Sequence, residues 1–268
     1  MSRDIAQFAG KALVPIAVLA AFALFRKYLP APGSVPGNEA VLDDLNERFR
    51  RVQWIVGFVM LTIAGLVFLG THIALLGLNH YIAVTDAPQA VFRLWPQRAT
   101  WWFFPGFAGI TLCWEIALRL WAAFGDAASA ALYSTWSNQR AGFDATKVLR
   151  WMMLLIALPI GVLTILALPV HTTVGEHAIQ DCGYAFAGCK TFAYSDARRM
   201  TLIKGFRDRD GKLHPRAAVI LDFVDHRRWS SAVGDFKSSI DPALVSFLSD
   251  RTHLIPGQAE TEADIPKN

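Results

Sequence analysis

The sequence predicts an α+β membrane protein, with three to four transmembrane helices followed by a small antiparallel β domain that ends in one helix. Three observations carry this. No Asp, Glu, Lys or Arg occurs from Val52 to Thr85, and a helix crosses a bilayer core with about 20 predominantly apolar residues. Charged residues make up 18% of the chain and apolar residues 53%, against about 25% charged in an ordinary soluble domain. The deficit lies before Val170. From His171 the apolar pattern takes up the two-residue period of strands.

Residues 1–29 hold a first apolar stretch, Ala12 to Phe25, with Pro15 inside it. Extended to Leu29 it just spans, with Lys11, Arg26 and Lys27 reaching the interfaces. A signal peptide needs a small-residue cleavage site after its apolar core, whereas here the core runs into Arg26-Lys27-Tyr28. A retained helix is expected. Residues 30–53 form a linker and an amphipathic helix. Pro30 to Gly37 carries three Pro and two Gly, which punctuate the chain, and Asn38 can cap the helix that follows. Val41, Leu42, Leu45, Phe49 and Val52 recur at helical spacing on it.

Residues 54–170 form the membrane region, with spans at about 54–79, 100–124 and 151–170. The last is interrupted by Pro159, Gly161 and Pro169. Trp54, Trp101, Trp102, Trp121 and Trp151 fall near span ends, where amphipathic rings favour the headgroup level. Between the second and third spans, Ala127 to Gln139 reads as a short helix and Asp144 as a cap. The spans share no repeat of the kind expected of an inverted-repeat transporter.

Short loops rich in Lys and Arg stay cytoplasmic. Arg26, Lys27, Arg48, Arg50 and Arg51 precede the first long span, and Arg140, Lys147 and Arg150 lie between the second and third. The loop from His80 to Ala99 has Arg93 and Arg98 alone. That loop, and the chain after the third span, are therefore expected outside.

Residues 171–256 form the polar domain. Strands are expected at Val174–Ile179, Lys190–Tyr194, Met200–Phe206, Ala217–Val224 and Arg227–Ser231. Turns fall at Asp208–Gly211, where Asp-Gly supplies positive φ, and at Asp225-His226. Trp229 should point inward. Asp241-Pro242 opens a helix with proline at its first position, and Ala243, Leu244, Phe247 and Leu248 form its stripe. Residues 257–268 read as a disordered tail. From His171 onward 13 basic residues balance 13 acidic ones, so the domain lacks the basic face that nucleic acid requires.

Cys182 and Cys189 flank a closable loop of six residues, and in an oxidising compartment they would pair. Cys113, within the second span, reads as a packing residue. Glu115 and Arg119 are the charged residues inside a long span. They lie four apart on one helical face, and intramembrane charges tend to face a bundle interior or cavity. They read either as a structural ion pair or as part of an ion pathway. His72 and His80 share a helical face near His171 and His177, without a compact ligand motif. Gly57 and Gly65, like Gly106 and Gly109, are small residues that let helices approach. Arg198, Arg199, Lys204, Arg207, Arg209, Lys212, Arg216, Arg227 and Arg228 are interleaved with Asp196, Asp208, Asp210, Asp222 and Asp225, as on a solvated face or a headgroup-binding edge. No nucleophile elbow, phosphate-binding Gly loop or H-E-x-x-H motif occurs. No catalytic residue, cofactor or metal ligand is expected.

Tyr194-Ser195-Asp196-Ala197, Met200 to Gly205, the Asp210-Gly211 turn, Ala217 to Val224 and Arg228-Trp229 together resemble the bacterial PH-like domain, over Lys190 to Leu254. Such domains follow transmembrane helices in bacterial polytopic membrane proteins. The resemblance implies a lipid- or protein-binding barrel with no shared chemistry. The expected role is a binding or accessory component of a bacterial envelope complex in the inner membrane. Its partners would be the lipid bilayer and a protein or a second copy, with the C-terminal domain periplasmic or extracellular. The alternative is a small transporter or channel using Glu115 and Arg119.

Overall fold

The computed structural model describes residues 23–31, 39–96, 101–207, 211–232 and 240–265. The chain divides into two compact units, residues 1–70 with 104–160, and residues 71–103 with 161–268. Three helical stretches are long and apolar enough to cross a membrane, Asp44–Asp86, Phe103–Phe124 and Ala145–Leu166. Most of the expected N-terminal helix lies outside the described residues.

Helix α1 (Glu39–Asp86) is continuous over 48 residues, so the expected amphipathic helix and the first span are one element. No Pro or cap residue separates them. α2 is Phe103–Phe124, and α3 (Ala127–Ala141) is the short helix expected after it. α4 (Ala145–Met152), a π-helical turn (Met153–Ala157) and α5 (Leu158–Leu166) then run on as the third span. That span begins and ends earlier than the expected 151–170. Pro159 does not break it. Proline lacks an N–H and its ring crowds the carbonyl four residues back; the wider π turn immediately before accommodates both.

Caps fix these boundaries. The Asp126 carboxylate accepts the N–H groups of Ala128 and Ser129, both at 3.0 Å, and Asp144 accepts that of Lys147 at 3.1 Å. α3 closes on Gly142, at φ +76°, a conformation that costs glycine little.

In the first unit, Leu45, Phe49 and Val56 of α1 pack with Trp114 of α2 and with Tyr133 and Trp136 of α3. Polar tips are satisfied at the edges. The Trp136 indole donates to Asn46 Oδ1 at 2.9 Å, and that of Trp114 to Thr146 Oγ1 at 3.1 Å. Farther along α1, Ile63 packs with Cys113 and Ala117. Cys113 is a buried free thiol, as expected of a packing residue. Of the glycines singled out in the sequence, Gly109 makes the close approach: a Cβ there would lie 2.7 Å from the Ala64 carbonyl oxygen, whereas Gly57, Gly65 and Gly106 have open space. Gly109→Ala should therefore force α1 and α2 apart, at a cost of about 1–3 kcal/mol. A lower unfolding midpoint in detergent, with no change for Gly57→Ala, is the expected result.

The second unit contains two four-stranded sheets. The first has the order β1 (Phe92–Leu94), β2 (His171–Val174), β3 (Ala178–Cys182), β4 (Cys189–Ala193), all antiparallel. The second has the order β7 (Arg228–Ser230), β6 (Leu213–Phe223), β5 (Ala197–Arg207), β8 (Gly257–Thr261). A single core lies between them. Val174, Ile179 and Phe192 from the first sheet meet Met200, Val219, Leu221, Phe223 and Trp229 from the second, with Leu244 and Leu248 of helix α6 (Pro242–Thr252). Asp241 caps α6 by accepting the Ala243 N–H at 3.0 Å. Ala243 itself is exposed. Trp229 is buried as expected. His226 turns the chain between β6 and β7 at φ +63°. The expected turn at Asp208–Gly211 falls largely outside the described residues.

Three expectations need correction. The strand anticipated at Val174–Ile179 is two strands with a turn between them, because Gly175 bonds back to Ala178 at 3.0 Å. The stretch after Pro256, read as disordered from its polarity, pairs in parallel with β5 from Thr201↔Gly257 to Gly205↔Thr261. It continues into a 3-10 turn, Glu262–Asp264, and Ile265 is buried. The sheet system is therefore mixed rather than antiparallel throughout. It also does not lie wholly after the spans, since β1 comes from the connection between the first two. Phe92 pairs with Val174 and Leu94 with Thr172, and the Phe92 ring packs edge-on against Phe247 of α6 at 5.5 Å.

Candidate functional site

The intramembrane charges form a three-membered cluster in the first unit. Glu115 Oε1 accepts from Arg119 at 2.6 Å and lies 3.5 Å from the Arg150 guanidinium. Arg150 sits in the last turn of α4, and the helical stretch that leads into the third span begins at Ala145. Two guanidinium groups thus share one carboxylate. Arg119 is 77% exposed, as a snorkelling side chain would be.

The histidines are not brought together. His72 Nδ1 lies 3.4 Å from the Trp101 carbonyl, and the His80 ring lies on Trp95 at 5.2 Å. His171 is fully buried with Nδ1 2.7 Å from the Pro169 carbonyl, and His177 is exposed. Among the described residues no group of three or more His, Cys, Asp or Glu is arranged to hold a metal.

The ends of the first and third spans are tied by Asn79. Its amide donates to the carbonyls of Leu168 at 2.6 Å and Val170 at 3.2 Å, and it is buried. Helix ends leave carbonyls without partners. Here a polar residue that read as the boundary of a span supplies donors just past the end of another. Cys182 and Cys189 form the expected disulfide, at facing positions of β3 and β4.

Four members of the basic run, Arg199, Arg207, Arg227 and Arg228, are held in ion pairs. Asp222, the penultimate residue of β6, is 5% exposed and accepts two bonds from Arg199, at 2.9 and 2.7 Å, and one from Arg228 at 2.6 Å. Arg228 also reaches Glu262, 3.2 Å away in the C-terminal 3-10 turn. Burial raises the Asp222 carboxyl, but the bonds from Arg228 and Arg199 outweigh that and hold it below its ordinary value. Arg227 pairs with Asp225, Arg207 with Glu260, and Arg251 with Glu176. This hub was missed in the sequence, where Asp222 appeared as one acid among several. Its signal is an aspartate inside the run Val219-Ile220-Leu221-Asp222-Phe223.

On the second sheet a cavity of about 450 Å³ is lined by Leu202, Ile203, Lys204, Leu213, Pro215, Ala217, Ile240 and Gln258. Mostly apolar walls with few polar groups are what a binding pocket offers. Sequence reasoning did not single it out, because its lining comes from β5, β6, β8 and Ile240, which meet only in the fold.

These features define a chain with three helices long and apolar enough to cross a membrane, whose β domain draws a strand from the connection between the first two of them. No family model matches the chain, and no curated protein or solved structure is similar to it.

Proposed function

We propose that the chain is a binding or accessory component of a bacterial envelope complex, anchored in the inner membrane and acting through its β domain on the periplasmic or extracellular side. The observation that carries the reading is the cavity between Leu202, Leu213, Pro215 and Ile240, a mostly apolar recess on the second sheet. Such a recess suits a protein segment with an apolar side chain to bury, with Lys204 and Gln258 to orient it. Pairing of β1 with β2 supports one membrane face for the first connection and the domain, since a sheet cannot be divided by a bilayer. The basic loops and the disulfide support that face being the outer one.

Purification of the full chain from gently solubilised membranes, beside Leu213→Asp, tests the reading. A partner present in stoichiometric amount is expected with the native chain and should fall at least tenfold with the variant, which retains its disulfide. An unchanged set of co-purifying proteins would overturn it.

A further inference from the structure

The segment Gly183–Gly188, closed at its base by the Cys182–Cys189 disulfide, carries no charged residue. It is a formed turn: Gly183 N–H donates to the Gly188 carbonyl at 3.0 Å, and Ala187 N–H to that of Tyr184 at 2.7 Å. The Tyr184 and Phe186 rings stack in parallel, with centroids 5.7 Å apart and planes 8° from one another. Both face outward, Tyr184 at 45% and Phe186 at 78% exposure. The tip is uncharged and carries two exposed aromatic rings side by side, whereas Phe206 of β5 and Leu213 of β6 are less exposed, at 40% and 37%.

Its position says what covers it. The Ala185 N–H, at the centre of the tip, donates at 2.8 Å to the carbonyl of Leu166, the last residue of α5 and of the third span. That carbonyl is one of those a helix end leaves without a partner. The tip is thus held against the C-terminal end of the third apolar helical stretch. Leu163 and Ile165, in the turn just before, are 59% and 62% exposed, as lipid-facing residues of a span must be. Tyrosine, with an apolar ring and a polar hydroxyl, favours the headgroup level.

We propose that Tyr184 and Phe186 insert into the lipid headgroup boundary, in the leaflet where the third span ends. The disulfide keeps the turn closed, the Leu166 bond sets its depth, and the two rings bind the membrane surface. The inference rests on α5 completing a span. It does not depend on a protein partner for the domain or on which side of the membrane the domain faces.

The test uses full-length protein in nanodiscs of phosphatidylethanolamine and phosphatidylglycerol, with the photoreactive residue p-benzoylphenylalanine at position 186. Position 163 in the span serves as the lipid-contact reference, and position 206, at the far end of β5, as the solvent reference. Lipid adducts at position 186 are expected to match those at 163 and to exceed those at 206 several-fold. Adducts no higher than at 206, or adducts to a second copy of the chain in place of lipid, would overturn the proposal. Mass spectrometry of the non-reduced protein shows that each variant has formed the disulfide. A domain that loses its partner on Leu213→Asp would still give lipid adducts at 186, so the two readings fail separately.

Discussion

Replacing Asp222 with alanine is expected to be the most damaging single change in the β domain. The carboxylate is nearly buried and holds Arg199 and Arg228, whose side chains are 28% and 31% exposed. Removing one partner of a buried pair costs about 3–5 kcal/mol, and the partial exposure of both arginines places this case near 3. Since 1.4 kcal/mol is a factor of ten, hydrogen-exchange protection of the β5 and β6 amides should fall about 100-fold. Loss of less than threefold would mean that the hub contributes little. The same contacts set a pH dependence. An aspartate titrates near 3.9 in the unfolded chain, and in the fold Asp222 is held lower. Its contribution is therefore complete above about pH 4 and is lost as the pH falls through the folded value. Wild-type protection should decline on acidification below pH 4, whereas that of Asp222→Asn should lack this component.

The paired substitution Cys182→Ser with Cys189→Ser is expected to have the next largest effect. Closing a loop this short contributes about 2–3 kcal/mol in the chain-entropy account. The loss should appear first in β3 and β4, whose facing ends the bridge joins, and in the Ala185 amide, whose bond to Leu166 needs the turn intact. Exchange at Ala185 should rise at least tenfold while β5 and β6 change little. Maleimide labelling in intact cells checks the compartment. Reaction of either cysteine only after reduction and denaturation agrees with an outer domain, and ready reaction on permeabilisation without reductant would place the domain in the cytoplasm.

Much of this fold is local, and local features are what a sequence displays. The apolar runs, the helix starts at Asp144 and Asp241, the strand Ala217–Val224 and the inward Trp229 each follow from residues within one or two turns of each other. The disulfide was legible because its partners are close in the chain. What escaped was made by distance. Phe92-Arg93-Leu94 is too short to declare itself a strand; it becomes one by pairing with β2. Gln258 to Thr261 reads as polar tail because an edge strand needs few apolar residues, and only β5 supplies its partner. The candidate site divides in the same way. Glu115 and Arg119 are one helical turn apart and were seen, while Arg150, Asn79 and the Asp222 hub depend on which elements meet.

The pairing of β1 with β2 ties maturation of the domain to membrane insertion. Between Phe92 and Val174 lie both later spans, so the first sheet cannot gain its edge strand until each has been threaded into the bilayer. Contacts this distant in sequence form late. A chain that mis-inserts either span would leave β1 and β2 on opposite faces, with unpaired strand edges and an open core. Such a product would be exposed to proteases, whereas a correctly threaded one closes. Pairing of β1 with β2 thus requires both strands to lie on the same side of the membrane.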